Sequence, residues 1–198
     1  MRRRAQVQWG GAIAERWATR AVNLATGRVP DATMRRLQLV RAGARGALHH
    51  YHEARADLHE VIVTAERDGD GASIAEAITR LGELASMERR PDEALSLMAQ
   101  ALERWHELGD EAGEAEALRV TGMVQVFAGL FDPADETLHR ARVLFTRLGD
   151  RRGAAWADQN LAWVAFMRGD LDLADERIHA AATTFAELGD VGGMGWAL

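Results

Sequence analysis

Histidine is the residue type in this chain best suited to bind a metal ion, and six of its seven histidines fall into two patterns. The first pattern is a cluster: His49, His50, His52 and His59. A zinc site needs three or four ligands that converge within about 2 Å of the ion. On a helix His52 and His59 share a face but lie two turns, about 10 Å, apart, so they cannot bind the same ion. We interpret the cluster as surface histidines and keep a metal-dependent enzyme as the least favoured alternative.

The second pattern places His59, His139 and His179 at one position of a 40-residue period. Equivalent positions of neighbouring repeats are separated by at least one interhelical distance, about 8–10 Å, so these side chains cannot converge either. We therefore expect no metal site and no cofactor.

Other catalytic patterns are absent from the sequence. The chain has no lysine, which excludes a phosphate-binding loop that ends in Gly-Lys-Ser/Thr. Ser73, Ser86 and Ser96 are its serines, and none lies in a Gly-x-Ser-x-Gly motif. Acidic pairs such as Asp135-Glu136 recur with the period, which is typical of a solvated helix face. We expect a protein that is not an enzyme.

The period itself is marked by Gly-Asp pairs that lie 40 residues apart. They are Gly69-Asp70, Gly109-Asp110, Gly149-Asp150 and Gly189-Asp190. A fixed period of this size indicates one supersecondary unit that is copied and stacked. Stacked repeats form extended surfaces, so binding is the default interpretation of function.

Small residues share columns of the period, and large apolar residues lie beside them. One column holds Ala54, Ala94, Ala134 and Ala174, another holds Ala42, Gly82, Gly122 and Ala162, and a third holds Trp105, Phe145 and Phe185. Small side chains let two helices approach closely, so we expect helix crossings at the first two columns.

The apolar spacing within each unit is helical, and each Gly-Asp pair supplies a left-handed helix end and an N-cap. The pattern predicts an all-α protein built from antiparallel helix pairs. The predicted helices are 5–25, 31–46, 50–67, 71–88, 91–107, 111–128, 131–148, 151–168, 171–187 and one that begins near 191. We expect a single segment over 1–198, with a lone helix at 5–25, units at 31–69, 70–109, 110–149 and 150–189, and a truncated unit at 190–198.

Each unit resembles the tetratricopeptide repeat (TPR). Leu81-Gly82, Ala94 and Ala101 have the spacing of that family's Leu-Gly, Ala and Ala positions, and the next two units repeat it. The 40-residue length is similar to a long variant found in multidomain bacterial regulators. The resemblance implies a right-handed α-solenoid that binds a protein or peptide.

The resemblance also implies a binding groove on the concave face, which is lined by the first helix of each unit. Carried over by position, the groove residues are Arg80, Arg119, Met123, Phe127, Trp156, Gln159, Asn160 and Trp163. Asn160 corresponds to an asparagine that holds a peptide backbone in such families. The aromatic and methionine side chains indicate an apolar peptide or a partner helix, or they pack on neighbouring helices instead.

Composition limits the setting and the partners. The chain has no cysteine, and all 24 of its basic residues are arginine, which indicates the cytoplasm of a bacterium. No apolar run is long enough to cross a membrane. Residues 1–50 carry ten arginines and two acids, a balance of +8, and residues 51–198 carry −14. A basic end can mark nucleic acid or anionic lipid, but we favour an acidic neighbouring domain or a second copy of the chain, and we expect neither a membrane nor a nucleic-acid partner.

Both ends of the sequence look cut, since 5–25 matches a second helix and 190–198 the start of a first helix. We therefore expect Trp17 and Trp196 to lie on poorly covered surfaces that promote homo-oligomers. Our first hypothesis is the sensor or scaffold part of a bacterial regulatory protein. The alternative is a free-standing scaffold that self-associates through its ends.

Overall fold

The structure is a computed structural model that describes the backbone of residues 2–197 and the side chains of residues 11–195. Trp196 therefore lies outside the side chains described. Within residues 2–197 the chain forms ten α-helices and no strand, which confirms the all-α prediction. The helices are α1 (Arg2–Ala25), α2 (Asp31–Ala47), α3 (Tyr51–Asp68), α4 (Gly71–Met87), α5 (Pro91–Leu108), α6 (Glu111–Phe127), α7 (Phe131–Arg147), α8 (Arg151–Arg168), α9 (Leu171–Leu188) and α10 (Val191–Ala197). The chain divides into two compact units, residues 1–90 and residues 91–198.

The recurring Gly-Asp pairs end one helix and begin the next, as the sequence predicts. The four glycines of these pairs have φ angles between 64° and 73°, a left-handed conformation that other residues adopt only with strain. The aspartates are N-caps: one carboxylate oxygen of Asp150, for example, accepts a hydrogen bond from the backbone N–H of Gly153 at 2.8 Å. Local residues therefore account for the helix boundaries.

The first unit contains α1 to α4, and consecutive helices pack against each other around Leu58 and Val61. Its core also contains charge. Asp57 on α3 is buried and accepts hydrogen bonds from Arg41 at 2.5 Å and from Arg45 at 2.7 Å, both on α2. Because both carboxylate oxygens have a guanidinium partner, the buried charge is compensated.

The second unit contains α5 to α10, again with consecutive helices in contact, and α6 and α8 also touch each other. Leu138, Leu161 and Phe185 form its centre. Gly122 lies at a close crossing of α6 and α7, as predicted: a Cβ atom added there would lie 2.6 Å from Leu138 Cδ2.

A second set of glycines at the 40-residue period escaped the sequence analysis. Gly153 lies beneath the ring of Phe145, and a Cβ atom added to it would lie 2.6 Å from Phe145 Cε1. Gly113 lies beneath Trp105 in the same way, and Gly193 beneath Phe185. The aromatic column therefore packs on backbone, and the matching glycine column was visible in the sequence.

Candidate functional site

The first helices of two successive repeats, α6 and α8, form one surface in the second unit. They contact each other, and both present side chains that are exposed or only partly buried. We call this the first-helix surface. Its residues are Glu116, Arg119, Met123 and Phe127 on α6, and Arg152, Trp156, Trp163, Phe166 and Met167 on α8. Five of the predicted groove residues belong to it: Arg119, Met123, Phe127, Trp156 and Trp163.

One end of the first-helix surface is ionic. Arg119 donates to both carboxylate oxygens of Glu116, at 2.8 and 2.5 Å. Arg152 donates to Asp190 at 2.6 Å, and Asp190 also caps α10 by accepting from the backbone N–H of Gly193. The hydrogen bond from Gly193 and the guanidinium of Arg152 hold the pKa of Asp190 below its usual range. Sequence reasoning missed Arg152 because its partner Asp190 is 38 residues away, and it overlooked Glu116, although the pair with Arg119 three residues later follows from helical spacing.

A cleft of about 360 Å³ opens at this ionic end. Glu116 and Arg119 of α6 form one wall, and the first turns of α8 form the other. The lining residues are Glu116, Arg119, Phe145, Asp150, Arg152, Gly153 and Trp156. Two predicted groove residues, Arg119 and Trp156, thus meet in one concave feature with acids, bases and aromatic rings.

Trp156 connects the cleft to the core of the second unit. Its ring centroid lies 5.1 Å from that of Phe185 on α9, with the two rings inclined at 58°. Phe185 is fully buried with Ala155 and Ala181, and Trp156 packs on this cluster. The indole is therefore fixed on one side while it lines the cleft.

Gln159 and Asn160 lie between Trp156 and Trp163 along α8, but they are only 2% and 4% exposed. Gln159 Oε1 and Asn160 Nδ2 are buried without a hydrogen-bond partner. An unpaired buried amide atom is costly in a folded protein. The resemblance predicts an amide that holds a peptide backbone, so their burial is a departure from the expected open groove.

The other end of the first-helix surface is apolar. Phe127 is 72% exposed at the end of α6, and Trp163 is 42% exposed on α8. Trp163 makes an edge contact with Phe166, with centroids 6.0 Å apart, and Met167 is exposed beside them. Phe166 was missed because its position is not among the groove positions carried over from the family.

Arg80, the remaining predicted groove residue, belongs to the first unit. Its guanidinium pairs with Glu76 one turn earlier on α4, at 2.8 Å. It also lies over α2, where a Cβ atom added to Gly43 would approach Arg80 Nη1 to 3.1 Å. The structure thus places Arg80 on a first helix, as expected, with an acidic partner of its own.

Two of the three repeated histidines, His139 and His179, bond within their own helices. Nδ1–H of His139 donates to the carbonyl oxygen of Asp135 at 2.9 Å, and His179 does the same to Asp175 at 2.8 Å. Among the side chains of residues 11–195, no group of three or more potential ligands is placed to hold a metal ion.

One acid next to the first-helix surface has an unusual environment. Burial raises the pKa of Asp158 on α8, although Arg142 of α7 lies 2.6 Å away and opposes this shift. Asp158 joins α8 to α7 and does not line the cleft, so we treat it as part of the packing.

The described helices offer no membrane span, since none combines sufficient length with sufficient apolarity. No protein-family model matches the sequence, and no curated protein matches it either.

Solved structures supply the informative comparisons. A Rap protein complexed with Competence and Sporulation Factor superposes with a TM-score of 0.84 at 14% identity, over 94% of this chain and 52% of that one. Bacillus thuringiensis PlcR in complex with the peptide PapR7 and DNA superposes with a TM-score of 0.75 at 10% identity, over 100% of this chain and 74% of that one. A signal transduction ATPase from Pyrococcus horikoshii with a tetratricopeptide repeat sensor superposes with a TM-score of 0.69 at 16% identity, over 90% of this chain and 28% of that one.

The chain spans about half the length of the Rap protein and about a quarter of the Pyrococcus ATPase. At these identities the comparisons establish the fold. The protein is a helical-repeat chain with a TPR-like fold.

Proposed function

We propose that the first-helix surface binds a peptide or a segment of a partner protein, and that the chain is the sensing or scaffolding part of a bacterial, cytoplasmic regulatory protein. The observation that carries this proposal is the exposure of Phe127 at the end of α6 and of Trp163, Phe166 and Met167 along α8, two helices that contact each other. Large apolar side chains that gather on a surface beside polar groups mark interaction sites.

The composition of the surface supports the same conclusion. Tryptophan, methionine and arginine are enriched at the centres of protein interfaces, where they bury large areas and offer directed donors. The first-helix surface combines two tryptophans and two methionines with Arg119 and Arg152. The solved structures add support, since PlcR carries a peptide and the Pyrococcus repeat is a sensor.

A selection experiment tests the proposal. A displayed library of random dodecapeptides is selected on the full chain, and Kd is measured for the recovered peptides. We expect Trp163→Ala and Phe127→Ala to weaken binding at least tenfold, and His179→Ala, on the second helix of the same repeat, to have no effect. Failure to recover any binding peptide, or binding that depends on His179 and not on Trp163, would contradict the proposal.

Self-association through an end of the chain is the second candidate. Trp17 on α1 is 62% exposed beside the exposed Ile13, and the guanidinium of Arg20 lies 5.7 Å from the Trp17 ring. Sedimentation velocity of the chain and of Trp17→Glu over a hundredfold concentration range tests this function. A purely monomeric parent protein would rule it out.

A further inference from the structure

Two of the N-cap aspartates, Asp70 and Asp190, also bind an arginine side chain. At Asp70, Oδ1 accepts from the backbone N–H of Ser73 at 3.0 Å, and Oδ2 accepts from the Arg35 guanidinium at 2.9 Å. At Asp190, Oδ1 accepts from Gly193 at 3.0 Å, and Oδ2 accepts from Arg152 at 2.6 Å. One oxygen thus caps a helix while the other binds an arginine.

Asp150 has the same position in its repeat but a different surrounding. Its Oδ1 caps α8 through Gly153, and the residue lines the cleft. The position of Ser73, whose hydroxyl donates to Asp70 Oδ2 at 2.7 Å, is occupied by Gly153. The position of Arg35 is occupied by Ala115. Neither position therefore supplies a donor to Asp150 Oδ2.

The charge around the cleft favours a cation. Its two arginines are neutralised, Arg119 by Glu116 and Arg152 by Asp190. With Asp190 included, three acids stand against two arginines, so the carboxylate of Asp150 is the excess charge. Residues 91–198 together carry nine arginines and nineteen acids, a balance of −10. Such a field attracts cationic ligands.

The cleft also offers an aromatic wall. The Trp156 indole lines the cleft and is held by its contact with Phe185, so a group that stacks on it requires little further ordering of the side chain. A guanidinium combines flat stacking on an aromatic ring with paired donation to a carboxylate, and an ammonium does this less well.

We propose that the cleft receives an arginine side chain of the peptide ligand, with the guanidinium donating to Asp150 Oδ2 and stacking on Trp156. This inference rests on the proposed peptide-binding function and adds the chemical identity of one ligand residue. Trp163 lies seven residues, about 10.5 Å, further along α8. A peptide in the polyproline II conformation rises about 3.1 Å per residue with three residues per turn, so an apolar side chain three residues from the arginine lies on the same side and reaches Trp163.

Small probes test the cleft apart from the whole groove. The full chain, labelled with ¹⁵N, is titrated with N-acetyl-arginine methylamide, and the indole N–H resonance of Trp156 is followed after its assignment with Trp156→Phe. Matched probes are the citrulline analogue, which has the same shape without charge, the lysine analogue, and free arginine. Asp150→Asn removes the charge but keeps a good N-cap, and Asp110→Asn makes the same change at a cap outside the cleft.

We expect saturable shifts with the arginine probe, at least tenfold weaker binding of the citrulline probe, and a tenfold loss in Asp150→Asn with no change in Asp110→Asn. Equal binding of citrulline, or full binding by Asp150→Asn, would overturn the inference. Stronger binding of free arginine would also overturn it, because a free amino acid would then be the ligand.

The peptide selection separates the two failures. If selected peptides depend on Trp163 but lack arginine and the probe does not bind, only the inference about the cleft fails. If no peptide is recovered and no probe binds, the proposed function fails with it.

Discussion

Trp156 packs on Phe185 at a centroid distance of 5.1 Å, and this contact joins the first-helix surface to the core of the second unit. A side chain used only for binding would show its effect in affinity alone. One side of Trp156 packs on the core and the other lines the cleft, so its removal should change both the affinity for ligand and the free energy of unfolding.

We therefore expect Trp156→Ala to weaken ligand binding by about 2 kcal/mol, roughly 30-fold in Kd, and to lower the free energy of unfolding as well. Loss of a partly buried indole costs roughly 2 kcal/mol of stability. Titration calorimetry with a selected peptide and urea unfolding measure the two effects. His139→Ala is the control, and an unchanged urea midpoint for Trp156→Ala would show that the contact with Phe185 contributes nothing.

Trp163→Ala is expected to weaken ligand binding without lowering the stability of the fold. Because Trp163 is substantially exposed and contacts the exposed Phe166, its removal leaves the core intact. Binding should fall at least tenfold while the free energy of unfolding changes by less than about 0.5 kcal/mol. A large loss of stability with unchanged affinity would mean that the apolar end of the surface serves packing.

Gly122→Leu is expected to destabilise the second unit severely. Even a Cβ atom at Gly122 would lie 2.6 Å from Leu138 Cδ2, and overpacking of this kind costs roughly 1–3 kcal/mol or more. Thermal unfolding measures the change, and Leu138→Ala in the same chain should restore part of the loss. Gly195→Ala is the control, since nothing lies within 4 Å of the added atom. Equal melting temperatures for both variants would contradict the crossing of α6 and α7.

The ion pairs of Arg35 predict a pH dependence in the first unit. The hydrogen bond from Arg35, at 2.6 Å, and a second from Arg67 lower the pKa of Asp68 from its ordinary value of 3.8. A lowered pKa in the folded state stabilises the fold above the unfolded pKa, and this contribution disappears as the pH falls through the folded pKa.

Asp68→Asn should therefore lower the urea midpoint at pH 7, and the difference from the parent protein should shrink as the pH falls below the ordinary pKa of 3.8 and vanish once the pH is below the folded-state pKa. Glu103→Gln, a change at an exposed acid, is the control and should show no such dependence. A difference that stays constant throughout acid titration would mean that Asp68 contributes by shape and not by charge.

The helices of this protein could be predicted from the sequence because their ends depend on neighbouring residues. A left-handed glycine and a capping aspartate act within one turn, and a fixed period repeats both signals. Arg152 and Asp190 are 38 residues apart, so their pairing depends on how α8 meets α10. The burial of Asn160 likewise depends on packing between helices, and it cannot be predicted from the position of Asn160 within its repeat.

The charges in the core of the first unit were missed for the same reason. Arg41 occupies the position of Leu81, Thr121 and Leu161, and Asp57 occupies that of Leu97, Thr137 and Arg177. Periodicity of apolar residues cannot reveal a buried polar pair, because each member interrupts the pattern when it is considered alone.

Arg41 and Asp57 also distinguish helices that otherwise resemble one another. A nascent chain of similar repeats can dock a helix one repeat away from its correct neighbour and still bury an apolar face. Were α2 to pair with α5, Arg41 would meet Leu97, and Asp57 would be left buried without a counter-charge. A buried charge without a partner is strongly unfavourable, so α2 packs more favourably against α3 than against α5. The buried ion pair of the first repeat thus favours the native neighbour of α2 over the equivalent helix of the next repeat.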